Sequence, residues 1–276
     1  MGLRINTNIA SISAQRNLSK ASNALYSNFE HLSTGKRISR SSDDAAGLAI
    51  STRLNAQIKS LAVAERNAND GISLVQTAEG ALSEVADVLT RARELSVQSS
   101  NGTLSGSDQD ALQAEFATLI DQVDQIANST SFNGIALLDG TNAAITVQIG
   151  TGTTSGTDTL DVTLTSSTSA DLNVDSLDIG STGDASAAIT ALDTAIDAVS
   201  TARASLGASQ NQLTQSISSI TNRSENLSAA NSRILDVDVA SETAALTKNN
   251  ILQQAALSIL AQANSQPQTA LTLLRG

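Results

Sequence analysis

Aromatic side chains are nearly missing: the 276 residues include three Phe, one Tyr and no Trp. Aromatics are the usual large fillers of a thick core. Ala, Leu, Ile and Val must fill this one, which suits narrow seams between helices. Cysteine is absent, which excludes a disulfide framework and leaves the compartment open, because many cytosolic chains also have few. His31 is the sole histidine, so no H-E-x-x-H zinc site or His cluster can form. It stands beside Glu30 and Leu32 on a helical pattern and reads as a surface or interface residue. No apolar run is long enough to cross a bilayer. The most apolar stretch, 251–263, is interrupted by Gln253, Gln254, Ser258 and Gln262. Met1-Gly2-Leu3-Arg4-Ile5-Asn6-Thr7 has no apolar h-region, so no cleaved secretory signal is expected.

The net charge is −11, which argues against nucleic acid as a partner. The charge is uneven. Residues 1–40 carry Arg4, Arg16, Lys20, Lys36, Arg37 and Arg40 against Glu30 alone. That basic segment is either a solvated helix face or a docking surface for an acidic patch on a neighbouring copy.

What the chain does have is apolar residues in steps of three and four. One stripe runs Ile189, Leu192, Ile196, Val199, Leu206, Leu213, Ile217, Ile220, Leu227 and Ile234. Such steps place side chains on one seam of a helix that pairs with other helices. At about 1.5 Å per residue the stripe predicts a rod of about 70 Å. Arg203, Gln210, Ser224 and Asn231 interrupt it, as polar residues that set register at a cost in stability. Residues 5–33 read as a first helix through Leu18, Leu25 and Leu32, ended by Gly35. Asp43 and Asp44 then cap a long helix over about 44–99, with a seam of Ile58, Leu61, Ala68, Ile72, Val75, Leu82, Ala86 and Leu89. A third helix covers about 108–128, and Asn133-Gly134 marks a turn. Over 141–183 the period changes to two. Ile145, Val147 and Ile149, then Leu160, Val162 and Leu164, alternate with polar residues and predict a β-hairpin packed on the helices.

The last helix is expected over about 241–264, limited by Pro267. Leu252, Ala255, Ala256, Ile259, Leu260 and Ala263 make an apolar face wider than one stripe, which is normally buried on several sides. Residues 5–33 can cover one side. Further copies of the chain are expected to cover the rest, because soluble monomers avoid large apolar patches.

The motifs that could carry chemistry fail in detail. Ser33-Thr34-Gly35-Lys36 fits S-x-x-K but lacks the companion motifs of serine acylases and reads as a helix C-terminus. Gly35-Lys36 is no Walker A, because Glu30 stands where a glycine is required. Gly150-x-Gly152 lacks the third glycine and the following helix. No catalytic, cofactor or metal site is expected, and no enzyme.

The chain resembles bacterial flagellin. The matching segments are Ile5-Asn6-Thr7-Asn8; Leu32-Ser33-Thr34-Gly35-Lys36-Arg37-Ile38; Asp43-Asp44-Ala45-Ala46-Gly47-Leu48-Ala49-Ile50; Arg66-Asn67-Ala68-Asn69-Asp70-Gly71-Ile72-Ser73; and Ser131-Phe132-Asn133-Gly134. At the other end they are Asn249-Asn250-Ile251-Leu252 and Gln262-Ala263-Asn264 through Leu271-Thr272-Leu273-Leu274-Arg275. They flank essentially the whole chain, and the family's large outer domains look deleted.

The resemblance implies a mainly α protein: a long antiparallel helical bundle or coiled coil with a small β-hairpin region and paired terminal helices. Residues 1–43 with 236–276 would form the inner-tube domain, and 44–235 the rod-like outer-tube domain, including the hairpin region at about 141–183. The implied function is the structural subunit of the flagellar filament of swimming bacteria, extracellular and exported without a cleaved signal. The alternatives are a hook–filament junction protein or a secreted helical binding module. Assembly contacts are expected at Leu18, Leu25, Leu32, Leu252, Ala256, Ile259, Leu260 and Ala263. Implied partners are other copies of the chain, an export chaperone, the filament cap, hook-associated junction proteins and host flagellin receptors, with no cofactor, nucleic acid or membrane insertion. By position in the family, Arg91, Leu95 and Glu115 resemble residues read by a cell-surface receptor, and Leu271, Leu273 and Leu274 those read by a cytosolic sensor.

Overall fold

A computed structural model describes residues 7–275, with side chains through residue 266. Among the described residues five helices and four short strands follow in order: α1 (Ile9–Thr34), α2 (Ala45–Ser99), α3 (Gly106–Ser129), β1 (Ser131–Phe132), β2 (Ile135–Ala136), β3 (Ala144–Gln148), β4 (Thr159–Thr163), α4 (Ala185–Leu235) and α5 (Val239–Arg275). The mainly α class with a small hairpin region is as expected. Ile5 and Asn6, expected to open α1, lie outside the described residues.

The helix ends follow from local chemistry. Asn8 caps α1 by accepting from the Ser11 amide at 3.1 Å, and Gly35 ends it in the left-handed region at φ 69°. Asp44 accepts from the Gly47 amide at 2.9 Å at the start of α2. Ser105 and Asp108 form a capping box on α3. Asp238 accepts from the amides of Ala240 and Ser241 where α5 begins.

The chain divides into two compact units: Met1–Ala56 with Asn226–Gly276, and Gln57–Glu225. The second has one continuous apolar core, in which Leu82, Leu89, Leu95, Phe116, Leu137, Leu138, Ile179, Leu192 and Leu213 are fully buried. The buried face of α2 is wider than the predicted seam. It adds Ala64, Leu74, Ala78, Val85 and Ala92, while Ile72 and Ala86 are only half-buried. The reason is that α2 packs against several neighbours, so a single coiled-coil seam is too narrow.

The β3–β4 hairpin is antiparallel, pairing Ile145 with Val162 and Val147 with Leu160, the alternation read from the sequence. It packs on α2 at Gly71, where a Cβ would lie 3.1 Å from Val147 and 3.3 Å from Leu213. Asn133 and Gly134, both at positive φ, turn a second hairpin that pairs Phe132 with Ile135. The loop between β4 and α4 is pinned to α3. Asp124 accepts from the Ser169 amide and hydroxyl at 2.7 and 2.6 Å, and Gln113 accepts from the Ile179 amide at 2.8 Å.

In the terminal unit α1 and α5 run antiparallel, with residue 8 against 263 and residue 28 against 249. The connectors at their ends are zipped together: Lys36 bridges Asp236, the Arg37 amide donates to Leu235 O at 2.7 Å, and the Val237 amide to Gly35 O at 3.0 Å. One expectation is corrected. α5 does not stop near 264 but continues through Pro267 to Arg275.

Candidate functional site

The α1–α5 pair buries little apolar surface for its length and is tied by polar groups. Asn28 donates to Glu242 Oε1 at 2.6 Å and accepts from Asn249 Nδ2 at 2.7 Å. His31 Nδ1 lies 3.0 Å from the same Glu242 oxygen. Ser11 donates to Asn264 at 2.8 Å. Polar pairs at fixed positions specify one register, because a slip would strand them. His31, read from the sequence as a surface or interface residue, sits between the two helices of one chain.

Eight expected contact residues fall into two groups. Leu25, Ala256 and Ala263 are buried between α1 and α5, and Leu18, Leu32 and Leu260 are half-buried. Leu252 and Ile259 point outward, 47% and 60% exposed. With them stand exposed apolar residues that sequence reasoning missed: Ile9, Ile12, Tyr26 and Phe29 on α1, and Val239, Ile251 and Leu257 on α5. Tyr26 is 74% and Phe29 54% exposed. In a chain so poor in aromatics, two on an open helix face were the available signal. Between the helices runs an open groove of about 430 Å³ lined by Ala14, Ala21, Ala24, Leu252, Ala256 and Ile259, with Lys20 at its rim. Alanines on both helices, Ala14, Ala21, Ala24 and Ala256 among them, leave the space open.

A second patch lies in the core unit. Arg91 donates to Glu94 at 2.9 Å and to Glu115 at 3.0 Å, and both carboxylates hold the guanidinium more firmly charged than usual. Leu95 is not beside them at the surface: it is 1% exposed and belongs to the core. Next to the patch, Arg93 pairs with Asp193 and depresses that carboxyl. The side chains of Leu271, Leu273 and Leu274 lie outside the described residues.

Among the described residues no group of three or more His, Cys, Asp or Glu could hold a metal ion. No described helix is long and apolar enough to cross a membrane. Asp44 caps α2, whereas Asp43 closes the turn before it: it accepts from the Arg40 and Ser39 amides at 2.9 and 3.0 Å, which lowers its pKa.

Comparison with known proteins points one way. The family profile described as bacterial flagellin N-terminal helical region matches residues 5–143, and the bacterial flagellin C-terminal helical region matches 189–274. A flagellin of Halalkalibacterium halodurans is 48% identical over 98% of this chain and 99% of its own length. A flagellin of Bacillus subtilis is 44% identical over 99% of this chain and 100% of its own. The crystal structure of Bacillus cereus flagellin aligns at TM-score 0.50 and 32% identity, covering 60% of this chain and 94% of the other. Two terminal matches that bracket the chain, and near full-length relatives at this identity, place this chain in the bacterial flagellin family.

Proposed function

We propose that this flagellin, a structural subunit of the extracellular flagellar filament, polymerises through the exposed apolar face of α1 and α5. The observation that carries the reading is the outward set Ile12, Tyr26, Phe29, Ile251, Leu252, Leu257 and Ile259. Fully burying one such side chain is worth about 1.5–3 kcal/mol. Each is already part covered, so about 1 kcal/mol apiece remains for a neighbour to supply. A face of this kind on one copy meeting a different surface on the next makes a heterologous contact, and when the rotation does not close the product is an open helical polymer. In this reading residues 1–43 with 236–276 form the inner layer and 44–235 the outer one.

The finer partners follow from the same reading. An export chaperone shields the apolar face before secretion, and the cap and junction proteins meet it at the filament ends. The exposed Arg91–Glu115 pair is the accessible part of the host-receptor patch, with Leu95 supporting it from beneath. Leu271, Leu273 and Leu274 are the segment for the cytosolic sensor.

Seeding tests the assembly reading. Purified chain mixed with filament fragments should elongate them, seen as rising turbidity and lengthening fibres. A junction protein would occupy the seed ends and stop. Ile259→Asp should raise the concentration needed for growth more than about tenfold, since it puts a charge into a buried contact, while the circular dichroism of the monomer stays unchanged. Growth of Ile259→Asp at the wild-type rate would remove α5 from the contact.

A further inference from the structure

Pro267 stands inside α5 (Val239–Arg275). Proline has no N–H, so the carbonyl four residues earlier in the helix receives no bond from it. That carbonyl belongs to Ala263, which is 5% exposed. A buried acceptor needs a donor from somewhere. It comes from the other end of the chain: Asn8 Nδ2 donates to Ala263 O at 2.7 Å.

The same amide does a second job. Its Oδ1 accepts from the Ser11 amide at 3.1 Å and caps α1. Ser, Thr or Asp would cap a helix equally well. Only an amide carries an acceptor for the cap and a donor for the orphaned carbonyl on one short planar group. Ser11, one turn on, donates to Asn264 at 2.8 Å, so the clasp joins the start of α1 to α5 just before the proline.

We infer that Asn8 is a positioning residue for assembly: it supplies the donor that Pro267 removes, and the last turns of α5 become helical only once the start of α1 is docked beside them. Docking of one chain end then favours order in the other. The inference rests on the reading that α1 and α5 carry the assembly contact.

The test uses the full chain and seeded growth on wild-type fragments. Asn8→Asp keeps the cap acceptor, loses the donor and sets a carboxylate against a carbonyl oxygen. It should raise the concentration needed for growth about tenfold. Asn8→Ala, which loses cap and donor, should also be impaired. If Asn8 were only a cap, Asn8→Asp would grow like wild type and Asn8→Ala alone would suffer, and that order overturns the inference. Pro267→Ala returns an N–H to the helix, so in that background the loss from Asn8→Asp should shrink to less than about threefold. An equal loss in both backgrounds, complete loss included, overturns it as well. Should Pro267→Ala itself stop growth, the order of Asn8→Asp against Asn8→Ala decides alone. Failure of the wild-type chain to elongate seeds would count against the assembly reading instead.

Discussion

At the scale of single residues, several exposed aspartates hold turns and helix ends in place. Asp108 accepts from Ser105 in the capping box of α3. Asp110 accepts from the Ser181 amide at 3.0 Å, and Asp139 from the amide and hydroxyl of Thr141. Asp171 takes hydroxyls from Ser166 and Thr168. Each of these carboxyls has its pKa lowered, chiefly by these hydrogen bonds. They are therefore stronger acids in the folded chain than in the unfolded one. Their contribution to stability is fully present above the unfolded value of about 4 and disappears as the pH falls through the lower folded values. The thermal midpoint is accordingly expected to fall as the pH drops below about 4, and Asp108→Asn should shallow that decline. Because the groups are exposed, each share is small and screened by salt. A midpoint that stays constant from pH 5 down to 2 would deny these caps any part in stability.

Among the elements, α2 makes the sharpest contrast, because two of its glycines look alike in the sequence and differ in space. A Cβ on Gly80 would meet nothing within 4 Å. Gly80→Ala should therefore stabilise the protein by about 1 kcal/mol, the helix-propensity difference. A Cβ on Gly47 would collide with the Asp44 carboxylate and lie 2.7 Å from Ile38 Cδ1. Ile38 is 1% exposed and Asp44 caps the helix, so Gly47→Ala should destabilise by about 1–3 kcal/mol despite its better propensity. Urea denaturation of the two variants reads both signs.

The same contrast marks how far the sequence could be read. Helix periods and cap residues placed α1 to α4 within a few residues, because both signals are local. The β3–β4 strands followed from alternation. The β1–β2 strands were missed beyond their turn, since two paired residues leave no period to detect. The end of α5 was missed because its missing helical bond is replaced by Asn8, 255 residues away. Periodicity also names a face without naming what covers it. Tyr26 and Phe29 therefore went unremarked, and position in the family, which named Leu95, does not say that its side chain is buried.

For the whole molecule, the question is whether assembly and folding reside in separable parts. The buried residues of the large core lie between Ala68 and Leu213, within the unit Gln57–Glu225. The apolar side chains offered for assembly lie on α1 and α5, in the other unit. Removing residues 1–40 and 240–276 takes away nearly all of that face and leaves the core's own seams intact. Stability of the core unit rests on its buried Leu, Val, Ile and Phe side chains, and none of them is supplied by the removed segments. The shortened chain should therefore remain soluble, strongly helical by circular dichroism and cooperative on heating. It should fail to elongate filament fragments at any accessible concentration, because the neighbour then finds no apolar face to cover and the polar pairs that fix its register, Asn28 with Asn249 and Glu242, have gone with it. Elongation by the shortened chain would move the assembly contact onto the core unit; loss of its helical signal would show that the core cannot stand without the terminal pair.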